Sequence, residues 1–75
     1  MKLEILGPGC KRCQMLAENT RVAVAELGID AEVVKVEDMQ AIMAYGVMST
    51  PALVVDGKVV FSGKTTSVAE IMGVI

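Results

Sequence analysis

The sequence contains no histidine and no tryptophan, and its aromatic residues are limited to one tyrosine and one phenylalanine. Without histidine, the chain cannot form a histidine-dependent catalytic triad or use a histidine as a general base. With only two cysteines, one chain cannot supply the four Cys and His ligands of a structural zinc site. These absences direct attention to the two cysteines themselves, Cys10 and Cys13.

The sequence also lacks an excess of basic residues and a long apolar run. Seven Lys and Arg stand against nine Asp and Glu, a formal net charge of −2. This balance argues against a nucleic-acid partner and against a polybasic membrane-surface segment. The longest nearly apolar stretch, residues 41–48, is far shorter than the roughly 20 residues of a membrane-spanning helix. The first residues show no signal-peptide pattern, and we therefore expect a cytoplasmic protein without a membrane partner.

The 75 residues suffice for one small domain, and 53% of them are hydrophobic, which is too apolar for a disordered chain. Because aromatic residues are so few, the core must be aliphatic. We expect the methionines to fill core gaps rather than to form a metal-binding surface. They include Met15, Met39, Met43, Met48 and Met72.

Hydrophobic periodicity and turn residues divide the chain into strands and helices. The predicted strands are residues 2–6, 31–36, 52–55 and a run from residue 58 that ends before Gly63. The predicted helices are residues 10–27, residues 39–45 after the N-cap Asp38, and a last helix after Ser67. The order is β-α-β-α-β-β-α, which predicts an α/β fold. We expect a mixed four-stranded sheet with helices on both faces, a parallel first strand pair and an antiparallel final hairpin.

The motif Cys10-Lys11-Arg12-Cys13 lies where the first predicted strand gives way to the first predicted helix. There Cys10 would cap the helix and Cys13 would lie one turn inside, with the sulfurs near disulfide-bonding distance. The helix N-terminus, together with Lys11 and Arg12, should lower the pKa of Cys10 below the ~8.5 of a free thiol. Cys13 should be shielded and less acidic. This asymmetry suits thiol–disulfide exchange, in which one thiolate attacks a disulfide and a second thiol resolves the mixed disulfide.

Three other interpretations of the motif stay open. A structural disulfide that closes so short a loop would add little stability and is uncommon in the cytosol. A metal-delivery module would bind Cu(I) or Zn²⁺ through both thiolates. Small metal-chaperone domains, however, end in a strand, whereas this chain is predicted to end in a helix. A redox-inactive interaction module would not need two cysteines at a helix N-terminus, so we favour thiol–disulfide exchange.

The motif after the first strand is followed by Thr50-Pro51 before the third strand, by a hairpin, by Gly63 and by a final helix. This combination, which covers essentially the whole chain, resembles the thioredoxin/glutaredoxin superfamily. It is most similar to the minimal thioredoxin-like members, the small redox-active disulfide proteins of archaea and bacteria. Residues 46–53 are similar to the thioredoxin segment around its cis-proline. The resemblance implies a thioredoxin-like fold.

The resemblance also implies roles for individual residues. Cys10 matches the nucleophilic cysteine and Cys13 the resolving cysteine. Thr50 would pair through its backbone with a substrate strand, and Pro51 would follow a cis peptide bond and pack against the disulfide. Gly63 matches a glycine that lets the backbone of a partner approach.

The activity that the resemblance implies is reversible dithiol–disulfide exchange between a monomer and protein disulfides, with electrons from a thioredoxin-reductase-like donor. No bound cofactor is expected, because the cysteine pair is itself the redox element. The dipeptide Lys11-Arg12 departs from the Gly-Pro of thioredoxins, and its charge should make the pair somewhat more oxidising. Gly63 is followed by Lys64 and not by the second glycine that many glutaredoxins use on glutathione, so glutathione binding is not predicted.

A further acidic residue, Glu4, precedes Cys10 by the separation at which thioredoxins place a buried acid. If Glu4 were buried, its pKa would be raised and it could accept the proton of Cys13. The simpler interpretation, which we favour, is a solvent-facing strand carboxylate. Strand alternation cannot assign the face of a strand that is covered on both sides.

Overall fold

The computed structural model describes residues 1–9 and 11–75. Its strands are β1 (Lys2–Leu6), β2 (Glu32–Val36), β3 (Ala52–Val55) and β4 (Lys58–Ser62). Its helices are α1 (Lys11–Leu27), α2 (Met39–Ala44) and α3 (Val68–Met72). The predicted order of elements is confirmed. Cys10, at which we predicted the start of the first helix, lies outside the described residues.

The four strands form one mixed sheet in the order β2-β1-β3-β4. β1 and β2 are parallel, whereas β1 pairs with β3 and β3 with β4 in antiparallel fashion. The β3–β4 turn consists of Asp56 (φ 48°) and Gly57 (φ 86°). Two consecutive positive φ angles match the right-handed twist of the flanking strands, which is why Asp-Gly favours this tight hairpin. The predicted α/β fold with a mixed four-stranded sheet is therefore confirmed.

Two apolar clusters lie on opposite faces of the sheet. One cluster joins Leu3 and Ile5 of β1 to Leu16 of α1 and Ile71 of α3. The other contains Leu6 of β1 together with α2 and β3 residues, namely Ile42, Ala52 and Val54. Because successive strand residues point to opposite faces, Leu3 and Ile5 face α1 and α3 while Leu6 faces α2. The predicted placement of helices on both faces is confirmed.

Two element ends differ slightly from the prediction. β2 begins at Glu32, whose N–H donates to the carbonyl of Met1 at 2.9 Å. α2 ends at Ala44, and Tyr45 is its C-cap, with an N–H that donates to the carbonyl of Ile42 at 3.2 Å. This hydrogen bond to the carbonyl three residues earlier tightens the last turn. The helix therefore ends one residue before the predicted end at residue 45. None of the helices among the described residues has the length and apolar character required to cross a membrane.

The expectation that the methionines fill the core is wrong for most of them. Met48 is 98% exposed and Met43 68%, and Met15 and Met39 are about half exposed. A chain this short has little interior, and the core is occupied mainly by Leu, Ile, Val and Ala. The surplus apolar side chains therefore remain at the surface.

Candidate functional site

Cys13 lies in the first turn of α1 and is 4% exposed. Its Sγ packs so closely over Gly7 that a Cβ at position 7 would overlap the sulfur, and this Cβ would also lie 3.9 Å from the Cβ of Thr50. Gly7 is itself held at the end of β1, because its N–H donates to the carbonyl of Val36 at 2.9 Å. The absence of a side chain at Gly7 thus brings Cys13 close to the Thr50 loop. Cys10, the predicted nucleophile, lies outside the described residues.

The peptide bond between Thr50 and Pro51 is cis. Pro51 is fully buried, whereas Thr50 is only partly buried. The carbonyl of Pro51 accepts a 2.9 Å hydrogen bond from the N–H of Gly63. This bond ties the loop before β3 to the end of β4.

Gly63 connects three parts of the chain. Its N–H is used by Pro51, its carbonyl accepts a 3.2 Å hydrogen bond from Arg12 Nη2, and a Cβ added to it would lie 2.9 Å from the Cβ of Ser49. Its φ of 75° is also a conformation that side chains disfavour. The glycine therefore makes room for Ser49 of its own chain. Its predicted approach by a partner backbone stays a prediction.

Lys11 and Arg12, the residues predicted to tune the cysteine pKa, are both exposed. Arg12 also has a structural contact that the sequence did not suggest. Its guanidinium reaches Gly63, and its carbonyl accepts a 3.4 Å hydrogen bond from the Thr65 hydroxyl. The charge of Arg12 thus lies at the junction of α1 with the segment after β4. Its effect on Cys10 stays a prediction.

Glu4 lies on the face of the sheet opposite α1. It alternates with Leu3 and Ile5, and its Oε1 accepts a 2.8 Å hydrogen bond from the Tyr45 hydroxyl at the end of α2. The hydrogen bond to this carboxylate raises the pKa of Tyr45, and desolvation of the phenol raises it further. Glu4 is partly buried rather than solvent-facing as we expected. Its side chain is directed towards α2 and away from the helix that carries Cys13.

A cavity of about 240 Å³ opens beside Cys13 on the α1 face. Gly7 and Cys13 line it from one side, and Lys35 and Glu37 line it from the end of β2. Sequence reasoning did not single out Lys35 and Glu37. The parallel register of β1 and β2 indicates the face of Lys35, because Lys35 lies beside Ile5, a residue that faces α1. Glu37 follows β2 and lines the same cavity.

A family model described as thioredoxin domain matches residues 1–75. The chain belongs to this family. A protein named thioredoxin from Methanothermobacter thermautotrophicus is 45% identical over 75 residues, covering 100% of this chain and 97% of the relative. A protein named thioredoxin from Methanocaldococcus jannaschii is 48% identical over 69 residues, covering 92% of this chain and 79% of the relative. The predicted superfamily is therefore confirmed.

Membership of the thioredoxin-domain family makes this chain a thioredoxin-like redox protein of an oxidoreductase type. The metal-delivery alternative finds no support in these comparisons. Within residues 1–9 and 11–75, no group of three or more His, Cys, Asp or Glu is arranged to hold a metal ion.

Proposed function

We propose that the protein is a thiol–disulfide oxidoreductase that reduces or forms protein disulfides through Cys10 and Cys13. In the reductive direction, the Cys10 thiolate attacks a substrate disulfide and displaces one substrate thiolate, leaving a mixed disulfide. Cys13 then attacks the Cys10 sulfur, the mixed disulfide breaks, and the second substrate thiolate leaves. The substrate gains two electrons, and the cysteine pair becomes a disulfide.

The observation that carries this proposal is the position of Cys13 in a chain of the thioredoxin-domain family. The side chain is 4% exposed and packs over Gly7 next to Thr50. A shielded thiol reacts poorly with disulfides in solution, but it is suited to attack a neighbouring sulfur that a substrate has already modified. This is the behaviour required of a resolving cysteine.

The loop at Thr50 and Pro51 supports a binding role beside the cysteines. Thr50 is partly exposed and lies close to the Gly7 position over which Cys13 packs. We propose that the Thr50 backbone pairs with an extended substrate segment. Gly63 would contribute through its lack of a side chain, because its own N–H and carbonyl are already used by Pro51 and Arg12.

The remaining parts of the proposal follow from the same chemistry. The cysteine pair needs no bound cofactor, and a thioredoxin-reductase-like donor would return the disulfide to the dithiol. The substrates would be protein disulfides, met by a monomer in the cytoplasm, where thiols are kept reduced. The net charge of −2 argues against a nucleic-acid partner.

The test is a comparison of single-cysteine variants in a protein disulfide reduction assay driven by a small dithiol. Cys10→Ser should abolish turnover. In a parallel reaction without the dithiol, which would cleave a mixed disulfide, Cys13→Ser should attack the substrate once and accumulate the covalent mixed disulfide. Mass spectrometry of the non-reduced products detects this species. Because serine closely matches cysteine in size, both variants should keep the wild-type circular dichroism spectrum.

Two results would contradict the proposal. One is a Cys10→Ser variant that retains disulfide reductase activity. The other is a wild-type protein that shows no turnover but binds Cu(I) or Zn²⁺ stoichiometrically through both thiolates, as the metal-delivery alternative requires.

A further inference from the structure

The α1 face of the sheet carries a carboxylate next to the predicted resolving cysteine. In the parallel register of β1 and β2, Lys35 pairs with Ile5, which packs in the α1 cluster. Glu37, the residue that follows β2, lines the same cavity as Lys35 and Cys13 on this face. Glu4 alternates with Ile5 and is hydrogen bonded to Tyr45 on the other face. Of these two acidic residues, only Glu37 therefore lies on the side of the sheet that carries Cys13.

Glu37 is positioned over the cavity that Cys13 lines. Its Oε2 lies 3.4 Å from the point where a Cβ on Gly9 would stand, so the carboxylate rests against the turn that precedes α1. The carbonyl of Gly9 accepts a 3.2 Å hydrogen bond from Gln14 Nε2, which attaches this turn to α1. The cavity measures about 240 Å³, and since a water molecule occupies roughly 30 Å³ of liquid, it has room for several.

A buried thiol needs a route for its proton before it can act as a nucleophile. Cys13 is 4% exposed, and burial in apolar surroundings disfavours the thiolate. Glu37, an exposed carboxylate that lines the cavity, provides a proton acceptor in contact with solvent. Lys35 is the other charged residue among the described residues that line the cavity. Those contributed by β1, the following turn and α1 are uncharged.

We propose that Glu37 accepts the proton of Cys13, through water in the cavity, as Cys13 attacks the mixed disulfide. The Cys13 S–H bond breaks, the Cys13–Cys10 bond forms, and the bond from Cys10 to the substrate sulfur breaks. The substrate leaves as a thiolate that takes a proton from solvent, and Glu37 returns its proton to solvent. This inference rests on the proposed function, since it assigns a residue to the resolving step of that reaction.

The experiment is a stopped-flow single turnover of the reduced protein with a fluorogenic peptide disulfide, which separates attack by Cys10 from resolution by Cys13. Glu37→Gln should leave the first phase unchanged and slow the second about tenfold near pH 7. This value is below the 10²–10⁴-fold typical of general bases, because solvent competes at an exposed site. The slowing should shrink at alkaline pH, where hydroxide removes the proton. Glu37→Asp should recover part of the rate.

The matched control is Glu32→Gln, which makes the same charge change at the opposite end of β2 and should not slow resolution. If Glu37 acted only through its charge, its removal would favour the Cys13 thiolate and speed the second phase. Equal second-phase rates in wild type and Glu37→Gln at every pH, or a faster second phase in the variant, would overturn the inference alone. A wild-type protein that shows neither phase would overturn the proposed function and this inference with it.

Discussion

At the scale of single residues, the Tyr45 hydroxyl joins the end of α2 to β1 through its 2.8 Å hydrogen bond to Glu4 Oε1. The two residues are 41 positions apart, so neither local sequence indicates that they are hydrogen bonded. The bond occupies the carboxylate that the thioredoxin resemblance had offered as a proton acceptor. It also leaves a measurable trace, because an ionised acceptor stabilises the protonated phenol.

The ionisation of Tyr45 can be measured directly, because the chain contains one tyrosine and no tryptophan. We expect the pKa of Tyr45 in the folded protein to lie above its ordinary value of about 10. Titration of the tyrosinate absorbance checks this, and Glu4→Gln should move the midpoint back towards the ordinary value. The urea-unfolded chain is the control. An identical midpoint in the folded and unfolded wild type would contradict the hydrogen bond.

At the scale of elements, α3 shows how a helix of 5 residues is stabilised. So short a helix is unstable in isolation. Here the Ser67 side chain accepts from the backbone N–H of Glu70 at 3.2 Å, and the Glu70 carboxylate accepts from the N–H of Ser67 at 3.3 Å. Ile71 is fully buried against the sheet. The capping box provides hydrogen-bond partners for backbone N–H groups in the first turn of α3. The burial of Ile71 fixes which face of the helix packs against the sheet.

The capping box predicts a pH dependence of stability. Hydrogen bonds from Ser67, and then the nearby charge of Lys64, lower the pKa of Glu70. A lowered folded-state pKa contributes stability above the unfolded-state value, and this contribution is lost as the pH falls through the folded-state value. Glu70→Gln keeps a hydrogen-bond acceptor but removes the charge. We therefore expect wild type to be more stable than Glu70→Gln at pH 7, with a difference that narrows at acidic pH.

Urea denaturation at neutral and acidic pH measures this difference. The exposed Glu26→Gln in α1 makes the same charge change away from the capping box and serves as the matched control. A gap between wild type and Glu70→Gln that stays constant from neutral to acidic pH would show that the charge of Glu70 is not what stabilises the cap.

At the scale of the whole molecule, the segments around the cysteine motif meet at Gly63. The loop before β3 contributes Ser49 and Pro51, α1 contributes Arg12, and Gly63 itself directly follows β4. The radius of gyration is 11.0 Å, close to the roughly 11 Å expected for a compact chain of this length. In so small a molecule, a single close backbone contact can determine how the loops that flank a site fit together.

We expect an alanine at Gly63 to lower the free energy of unfolding by more than backbone strain alone would. Gly63→Ala should cost about 1–2 kcal/mol for its positive φ, with a further loss from the 2.9 Å contact with the Ser49 Cβ. Gly46→Ala is the matched control, because Gly46 has a φ of 76° and nothing within 4 Å of an added Cβ. Denaturant unfolding of both variants measures the difference. Adding Ser49→Gly to Gly63→Ala should recover the excess loss, and no recovery would contradict the contact.

The features that were predicted correctly are those encoded by nearby residues. The Asp56-Gly57 turn and the capping box of Ser67 and Glu70 are local patterns whose partners lie within a few residues. Contacts between distant residues were missed. Nothing near Gly63 in the sequence indicates that Ser49 occupies the space above it, and the exposure of Met48 depends on how much interior the folded chain provides.

The sequence by itself determined the order of strands and helices, the mixed sheet and the redox-type family, because periodicity, turn residues and the cysteine motif are local properties of the chain. Only the tertiary structure decided which acidic residue lies on the side of Cys13. β1 is covered on both faces, so the alternation of its residues does not reveal which face α1 packs against. The register with β2 and the hydrogen bond from Tyr45 settle this, placing Glu37 on the α1 face and Glu4 on the other.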